Sequence, residues 1–230
     1  MAVNLQELTQ RLDVCVRRCD DEAGRLFTAR VGVEGAKVFV LQWGLFTRHS
    51  RQCWANVVGN CPAVEARRFM VRENLYDEEA NITTSHYEKL VRLVLRLGLK
   101  REEIDAAAPL PATEVTLLGW EALTRNRHWL EGLAAKAVLE RVGLQGSLRK
   151  TMAEQWIREL KLSEHDADFF LLHLSADQVH SEGAYELLAR YAEAHDLSKV
   201  LQAACQSLTL MALFQDGIAT AMARHQSAAT

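Results

Sequence analysis

Proline and glycine are scarce in this sequence, with 3 prolines and 12 glycines among 230 residues. Because these two residues mark most sharp turns and helix ends, their scarcity favours long helices with short joints and excludes an all-β architecture. Apolar residues instead recur every three or four positions, and no period-two stretch is longer than a few residues. The sequence therefore predicts an all-α protein.

A strong excess of charge of one sign is also absent, since 27 lysines and arginines face 30 aspartates and glutamates. The formal net charge of −3 gives no general attraction to nucleic acids or anionic membranes. No uninterrupted apolar run approaches about 18 residues, so no membrane-spanning helix is expected. The first residues lack the apolar stretch of a signal peptide. We expect a cytoplasmic protein that binds neither nucleic acid nor membrane.

The 5 cysteines show no CxxC spacing and no even-numbered pattern. Such a set is not typical of a zinc site or of a disulfide framework. We expect reduced thiols in packed positions, including Cys15 and Cys19, which lie one helical turn apart.

The apolar periodicity predicts a single domain over residues 1–230, built as a bundle of about seven to nine helices with a short tail at 225–230. Pro62 suits a helix start, Gly44 marks a bend, and Pro109 and Pro111 mark a surface loop between two halves of similar length. The predicted helices cover residues 4–20, 34–59, 63–75, 77–97, from 113 onward, 127–142, 147–161, 165–195 and 197–223.

Several ionisable residues fall on the apolar faces of these helices. In the helix over 165–195, His173, Asp177 and His180 follow the apolar stripe, within about 60° of one another around the helix axis. Burying such groups unpaired costs several kcal/mol each, so they need partners. A metal cluster is one set of partners and a salt-bridge network is the other.

Two other helices repeat this pattern. Glu79 and His86 share the inward face of the helix over 77–97, and Glu140 lies on the apolar face of the helix over 127–142. The acidic residues Asp77 and Glu78 are explained by a helix N-terminus, where the dipole favours carboxylates. A histidine on an apolar face is also more often a hydrogen-bonded core residue than a metal ligand.

Taken together, the inward-facing set contains three histidines and three carboxylates, too many for one catalytic zinc ion. Mixed nitrogen and oxygen ligands of this number suit two iron or manganese ions, and two redox metals with open positions suit oxygen activation. The predicted ligands are Glu79, His86, Glu140, His173, Asp177 and His180.

The segments WGLFTRHSRQCWANVVGNCP, ENLYDEEANITTSHYEKL and HLSADQVHSEGAYELL, with Glu140, resemble the haem-oxygenase-like diiron oxidases and oxygenases over most of residues 36–195. The resemblance implies that family's helical bundle, commonly a homodimer, and the same six ligands. It implies two ferrous ions that are oxidised by O2, with manganese as an alternative metal. It also implies oxidation of a small amino-acid-derived or carboxylate substrate in specialised metabolism, by oxidative C–C fragmentation, N-oxygenation or a related reaction.

Substrate-binding residues are predicted from two features. Arg48, His49 and Arg51 form a basic turn that could hold a carboxylate, although a solvated basic turn explains it equally well. Lys150 follows Glu140 by ten residues, where some members of the resembled family carry a functional lysine. The aromatic side chains of Trp43 and Phe46 could line a pocket, although such residues are usually core.

Other functions are compatible with the same residues. A metal-free helical interaction module would use them as a structural salt-bridge network. A zinc or manganese hydrolase would use the same ligands without redox chemistry. A thiaminase-like hydrolase of the same fold needs a cysteine nucleophile, and the sequence shows no base partner for any cysteine. A cofactor-independent quinone-forming oxidase would leave the six ligands without a role.

Overall fold

The computed structural model of the chain describes residues 3–80, 85–144, 147–172 and 176–227. These residues contain no β-strand, which confirms the all-α prediction. The helices are α1 (Leu5–Ala23), α2 (Arg25–Thr28), α3 (Val33–Asn60), α4 (Val64–Met70), a π-helix (Val71–Ala80), α5 (His86–Arg96), α6 (Arg101–Asp105), α7 (Pro111–Arg125), α8 (Trp129–Ala137), a 3-10 turn (Leu139–Arg141), α9 (Leu148–Leu160), α10 (Asp168–Leu172), α11 (Ala176–Tyr191) and α12 (Leu197–Ser227). Within this described part, the α-helices of seven residues or more number nine, in agreement with the predicted bundle.

The two longest helices, α3 with 28 residues and α12 with 31, form the centre of the bundle. They pack against each other, and both also contact α7 and α8. Four aromatic rings fill the space between α3, α7 and α12, with neighbouring ring centroids 5.1 to 6.0 Å apart. Because aromatic side chains bury large apolar areas, this cluster of Trp43, Phe46, Trp120 and Phe214 fixes how the central helices pack.

Helix α12 is long and apolar enough, by length and composition alone, to cross a membrane over Leu197–His225. This feature was not predicted, because polar residues interrupt the apolar positions of the helix in the sequence. The helix packs against α1, α3, α7 and α8, as the central helix of a bundle does. Packing against these four helices explains the apolar composition of α12.

Local sequence signals mark the starts of α1 and α7. The Asn4 side chain accepts a hydrogen bond from the Glu7 backbone at 3.0 Å at the start of α1. Pro111, which was predicted to lie in a surface loop before a helix that starts at 113, instead lies in the first turn of α7. Helix α3 is continuous across Gly44, where a bend was predicted. A Cβ atom built at Gly44 would lie 2.5 Å from Ile104 Cδ1, so this glycine allows α6 to approach α3.

The prediction of one helix over 77–97 is wrong. A π-helix follows α4 directly and ends at Ala80, while α5 begins at His86. Hydrogen bonds from residue i to i+5 widen each turn of a π-helix, so the 3.6-residue period no longer predicts which side chains face inward. Where one helix was predicted over 165–195, the structure describes two helices, α10 and α11. Residues 173–175 between them lie outside the described part.

Candidate active site

A cavity of about 70 Å³ lies where α3, α8, α10 and α12 meet the π-helix. Most of its wall is aromatic or aliphatic, and Trp43 and Phe46 are part of it, as predicted. A small set of polar side chains completes the wall: Thr47, Ser50, Glu78, His86, Lys136, Glu140, Arg149 and Gln215. Apolar walls with a few polar groups are typical of sites for small molecules.

Glu78 and His86 face each other on this cavity. Glu78 Oε2 lies 3.8 Å from His86 Nδ1, and the two side chains are only 10% and 8% exposed. Glu78 Oε1 accepts a hydrogen bond of 3.0 Å from Ser50 Oγ on α3. The explanation of Glu78 as an acid at a helix N-terminus is therefore wrong, because the residue lies near the end of a π-helix. Glu78 is a candidate ligand that the sequence analysis missed.

The structure describes the side chains of only some of the predicted ligands. His86 begins α5, Glu140 lies in the 3-10 turn after α8, and both line the cavity. His180 lies on α11 and is 6% exposed. Asp177 and Glu79 belong to α11 and the π-helix. The side chains of these two residues, and all of His173, lie outside the described residues, so the six-ligand centre stays a prediction.

Among the side chains that the structure describes, no three His, Cys, Asp or Glu residues are grouped closely enough to hold a metal ion. The donors that do line the cavity are carboxylates and an imidazole: Glu78, Glu140 and His86. Oxygen and nitrogen donors of this kind are ligands that non-haem iron takes. In donor chemistry the cavity therefore fits iron.

Lys136 is a second feature of the cavity that sequence reasoning missed. It lies on α8 and is 2% exposed, and its Nζ donates a hydrogen bond of 2.8 Å to Ser50 Oγ. All nine residues of α8 are buried. The signal for this site is a lysine on a helix that has no solvent-exposed face. This signal is not visible in the sequence, because only the packing of the bundle shows that every face of α8 is buried.

The basic residues predicted to bind substrate do not line the cavity. Arg48 donates to the backbone oxygens of Ile104 and Asp105, at 3.1 and 3.0 Å, and so caps the end of α6. Lys150 is exposed on α9, 3.9 Å from Glu154. Arg48 has backbone partners outside this cavity and Lys150 is exposed, so a role of either residue in substrate binding stays a prediction.

His49 and Arg51, the other members of the predicted basic turn, lie on α3. Arg51 is exposed. His49 Nδ1 lies 3.4 Å from Cys53 Sγ, and burial, with the positive charge of Lys136 adding to it, lowers the pKa of His49. A base partner for a cysteine therefore exists, contrary to the sequence analysis. Burial nevertheless raises the pKa of Cys53, the opposite of what activates a nucleophilic thiol.

Solved structures identify the architecture. A domain with a heme oxygenase-like fold from Shewanella denitrificans superposes with a TM-score of 0.80 at 18% identity, covering 99% of this chain and 97% of that chain. A CADD-like protein from Nostoc punctiforme gives 0.74 at 18% identity, covering 94% and 97%. A TenA homolog from Pseudomonas syringae gives 0.72 at 13% identity, covering 94% and 93%. The chain therefore has the haem-oxygenase-like fold, as the resemblance implied.

The sequence also matches a protein family. Residues 37–212 match the family described as iron-containing redox enzymes, and this is more than half of the chain. The chain therefore belongs to that family, which confirms the resemblance. A chromosome partition protein Smc from Methylococcus capsulatus is 28% identical over 206 residues, but the match covers 82% of this chain and only 17% of that protein.

Proposed function

We propose that the protein is an iron-dependent, O2-using oxidase or oxygenase of a small amino-acid-derived or other carboxylate substrate. The observation that carries this proposal is the cavity whose wall includes Glu78, His86 and Glu140, in a chain that belongs to a family of iron-containing redox enzymes. The proposal includes two iron ions per chain, with manganese as an alternative. A homodimer, a cytoplasmic location and a place in specialised metabolism stay predictions.

Iron bound here would supply the electrons that reduce O2 and the oxidant for the substrate. His86 and Glu140 would hold it from α5 and the 3-10 turn, together with His180 and Asp177 from α11. The π-helix offers Glu78 in the cavity and Glu79 next to it in sequence. Together with His173, these residues make up the proposed set of ligands.

The remaining cavity residues position the site and exclude water. Phe39 stacks on Trp43 with ring centroids 4.8 Å apart, and Phe170 packs against Phe39 at 5.9 Å. A dry aromatic wall strengthens electrostatic interactions inside the cavity and limits side reactions with water. The Ser50 hydroxyl donates a hydrogen bond to Glu78 Oε1, so the other carboxylate oxygen is oriented toward His86.

The cavity gives less support to the alternatives. A structural salt-bridge network would pair every buried charge, yet among the described residues no carboxylate lies within 4.0 Å of Lys136 Nζ. A thiaminase-like hydrolase shares the fold, but no cysteine of the described part lines the cavity. A binding site for a small molecule explains both observations.

Anaerobic loading with ferrous iron tests the proposal. We expect about two irons per chain, as in other two-metal carboxylate bundles, and O2 uptake that depends on an added amino acid or carboxylate. His86→Ala should lose iron and O2 uptake because it removes a ligand. His195→Ala is the matched control, since the side chain of His195 is 75% exposed.

Comparison of Glu78→Gln with Glu79→Gln shows which carboxylate of the π-helix binds iron, because only the variant of the ligand should lower the iron content. A wild-type protein that takes up no iron, or a His86→Ala variant with the wild-type iron content, would contradict the proposal. Substrate turnover with zinc alone under anaerobic conditions would instead favour a hydrolase.

A further inference from the structure

Lys136 is a buried cation for which the described residues supply no ionic partner. Its side chain is 2% exposed, and its one hydrogen bond goes to the neutral hydroxyl of Ser50 at 2.8 Å. Transfer of an unpaired charge into a protein interior is strongly unfavourable, so buried charges are usually paired. The other buried lysine of the bundle follows this rule, since Lys89 Nζ lies 3.3 Å from Asp168.

Aromatic rings compensate this charge only in part. Nζ lies 5.3 Å from the ring centre of Trp54 and 5.7 Å from that of Phe46. Such cation–π contacts stabilise an ammonium by less than its burial without an ionic partner costs. Ser50 donates its hydroxyl proton to Glu78, so toward Lys136 it acts as an acceptor only. An ammonium has three N–H donors, so donors remain for a further partner.

We propose that Lys136, positioned by Ser50, binds the carboxylate of the substrate, while Trp43 and Phe46 pack against its apolar carbons. The inference rests on the proposed function for the identity of the ligand as substrate. All four side chains line the same cavity. The other cationic side chain on the wall, Arg149, donates to the backbone oxygen of Leu139 at 3.1 Å.

A carboxylate fits this subsite better than a phosphate does. A single ammonium neutralises one negative charge, whereas phosphate sites combine several donors, often backbone N–H groups at a helix N-terminus. The surrounding wall is aromatic and aliphatic, which suits a ligand with one anionic end and an apolar body.

The position of Lys136 also couples this subsite to the proposed iron ligands. Two hydrogen bonds lead from Lys136 through Ser50 to Glu78, at 2.8 and 3.0 Å. Iron held by Glu78 would neutralise the carboxylate nearest to Lys136 along this path. Carboxylate binding should therefore tighten when ferrous iron is present, and iron binding should tighten equally when carboxylate is present.

Equilibrium binding to the full chain tests the inference. The probes are hexanoate and 3-phenylpropionate, each compared with its amide, on metal-free protein and on protein with ferrous iron under anaerobic conditions. We expect the wild type to bind each carboxylate at least tenfold tighter than its amide. Lys136→Met replaces the ammonium by an apolar group of similar length. This variant should bind each carboxylate no more tightly than its amide, and its melting temperature should not be lower than that of the wild type.

Lys89→Met is the matched control, because it removes a buried lysine that already has a carboxylate partner, and it should keep the wild-type preference. A wild type that binds the amides as tightly, that binds no carboxylate under either condition, or that binds inorganic phosphate more tightly would overturn the inference, whether or not the Met variant folds. An unchanged carboxylate preference in Lys136→Met would do the same.

These measurements require neither O2 nor turnover. A protein that prefers carboxylates through Lys136 but consumes no O2 would refute the proposed function alone. An active iron enzyme without this preference would refute the inference alone.

Discussion

Asp20 on α1 is a buried carboxylate whose surroundings predict a pH-dependent stability. It is 7% exposed, and its Oδ1 accepts a hydrogen bond of 2.8 Å from the Gly143 backbone N–H. Oδ2 has no hydrogen-bond partner among the described residues. Burial raises the pKa of Asp20 from 3.8 to about 6, although the Gly143 N–H and the charge of Arg149 act in the opposite direction. The folded protein therefore holds this proton more tightly than the unfolded chain does.

The sign of the effect follows from this difference. Well below pH 3.8 the carboxyl is protonated in both states and costs nothing, and the cost grows as the pH rises from there toward 6. At about 1.4 kcal/mol per pKa unit, the full difference amounts to at most about 3 kcal/mol of unfolding free energy. Asp20→Asn removes this titration and can keep the hydrogen bond from Gly143. A buried amide N–H without an acceptor costs about 1–3 kcal/mol at every pH, so the pH dependence is the diagnostic quantity.

Urea denaturation of the wild type and of Asp20→Asn between pH 4 and pH 8 measures the effect. The unfolding free energy of the variant, relative to the wild type, should rise by about 2 kcal/mol across this range and then level off. Asp21→Asn, at the exposed neighbouring position, should show a constant difference. A constant difference would mean that burial does not raise this pKa. A difference that falls with pH would mean that the Gly143 N–H and Arg149 lower it, and either result would contradict the reasoning.

Two further predictions concern contacts between helices. A Cβ atom at Gly183 on α11 would lie 2.2 Å from Phe69 Cζ, so Gly183→Ala should lower the unfolding free energy by about 1–3 kcal/mol and, through His180 on the same helix, weaken iron binding. Urea denaturation and iron titration check this, and an unchanged stability would contradict it. Cys15 Sγ lies 2.6 Å from Cys205 Sγ, so oxidised glutathione should convert these two thiols to a disulfide between α1 and α12, releasing two molecules of reduced glutathione. Thiol titration should then show two fewer free thiols in the wild type and no such loss in Cys205→Ser, whereas an equal loss in both would refute the pairing.

Helical periodicity predicted part of the site, most directly where a helix continues unbroken. Trp43 and Phe46 belong to the 28-residue helix α3, and both line the cavity. Glu140 follows the apolar stripe of α8 and lines the cavity from the next turn. His86 is also on the cavity, although the helix predicted for it was too long at its N-terminal end. A regular 3.6-residue repeat is sufficient for such inferences because it fixes the direction of each side chain.

The missed residues depend on features that periodicity does not encode. Glu78 faces the cavity from a π-helix, whose wider turns change the order of inward positions. Lys136 is buried because other helices cover every side of α8, which is a property of the assembled bundle. Arg48 is engaged by carbonyl groups of α6, more than 50 residues away in sequence, so its partners were not visible from the sequence.

Iron is expected to bind in the cavity beside Glu78, His86 and Glu140. Anomalous diffraction at the iron absorption edge, from crystals grown anaerobically with ferrous salt, tests it most directly. Anomalous peaks are expected within bonding distance of the His86 imidazole and the Glu140 carboxylate. Iron-loaded crystals in which the cavity shows no anomalous peak, or in which all peaks lie elsewhere on the chain, would contradict it.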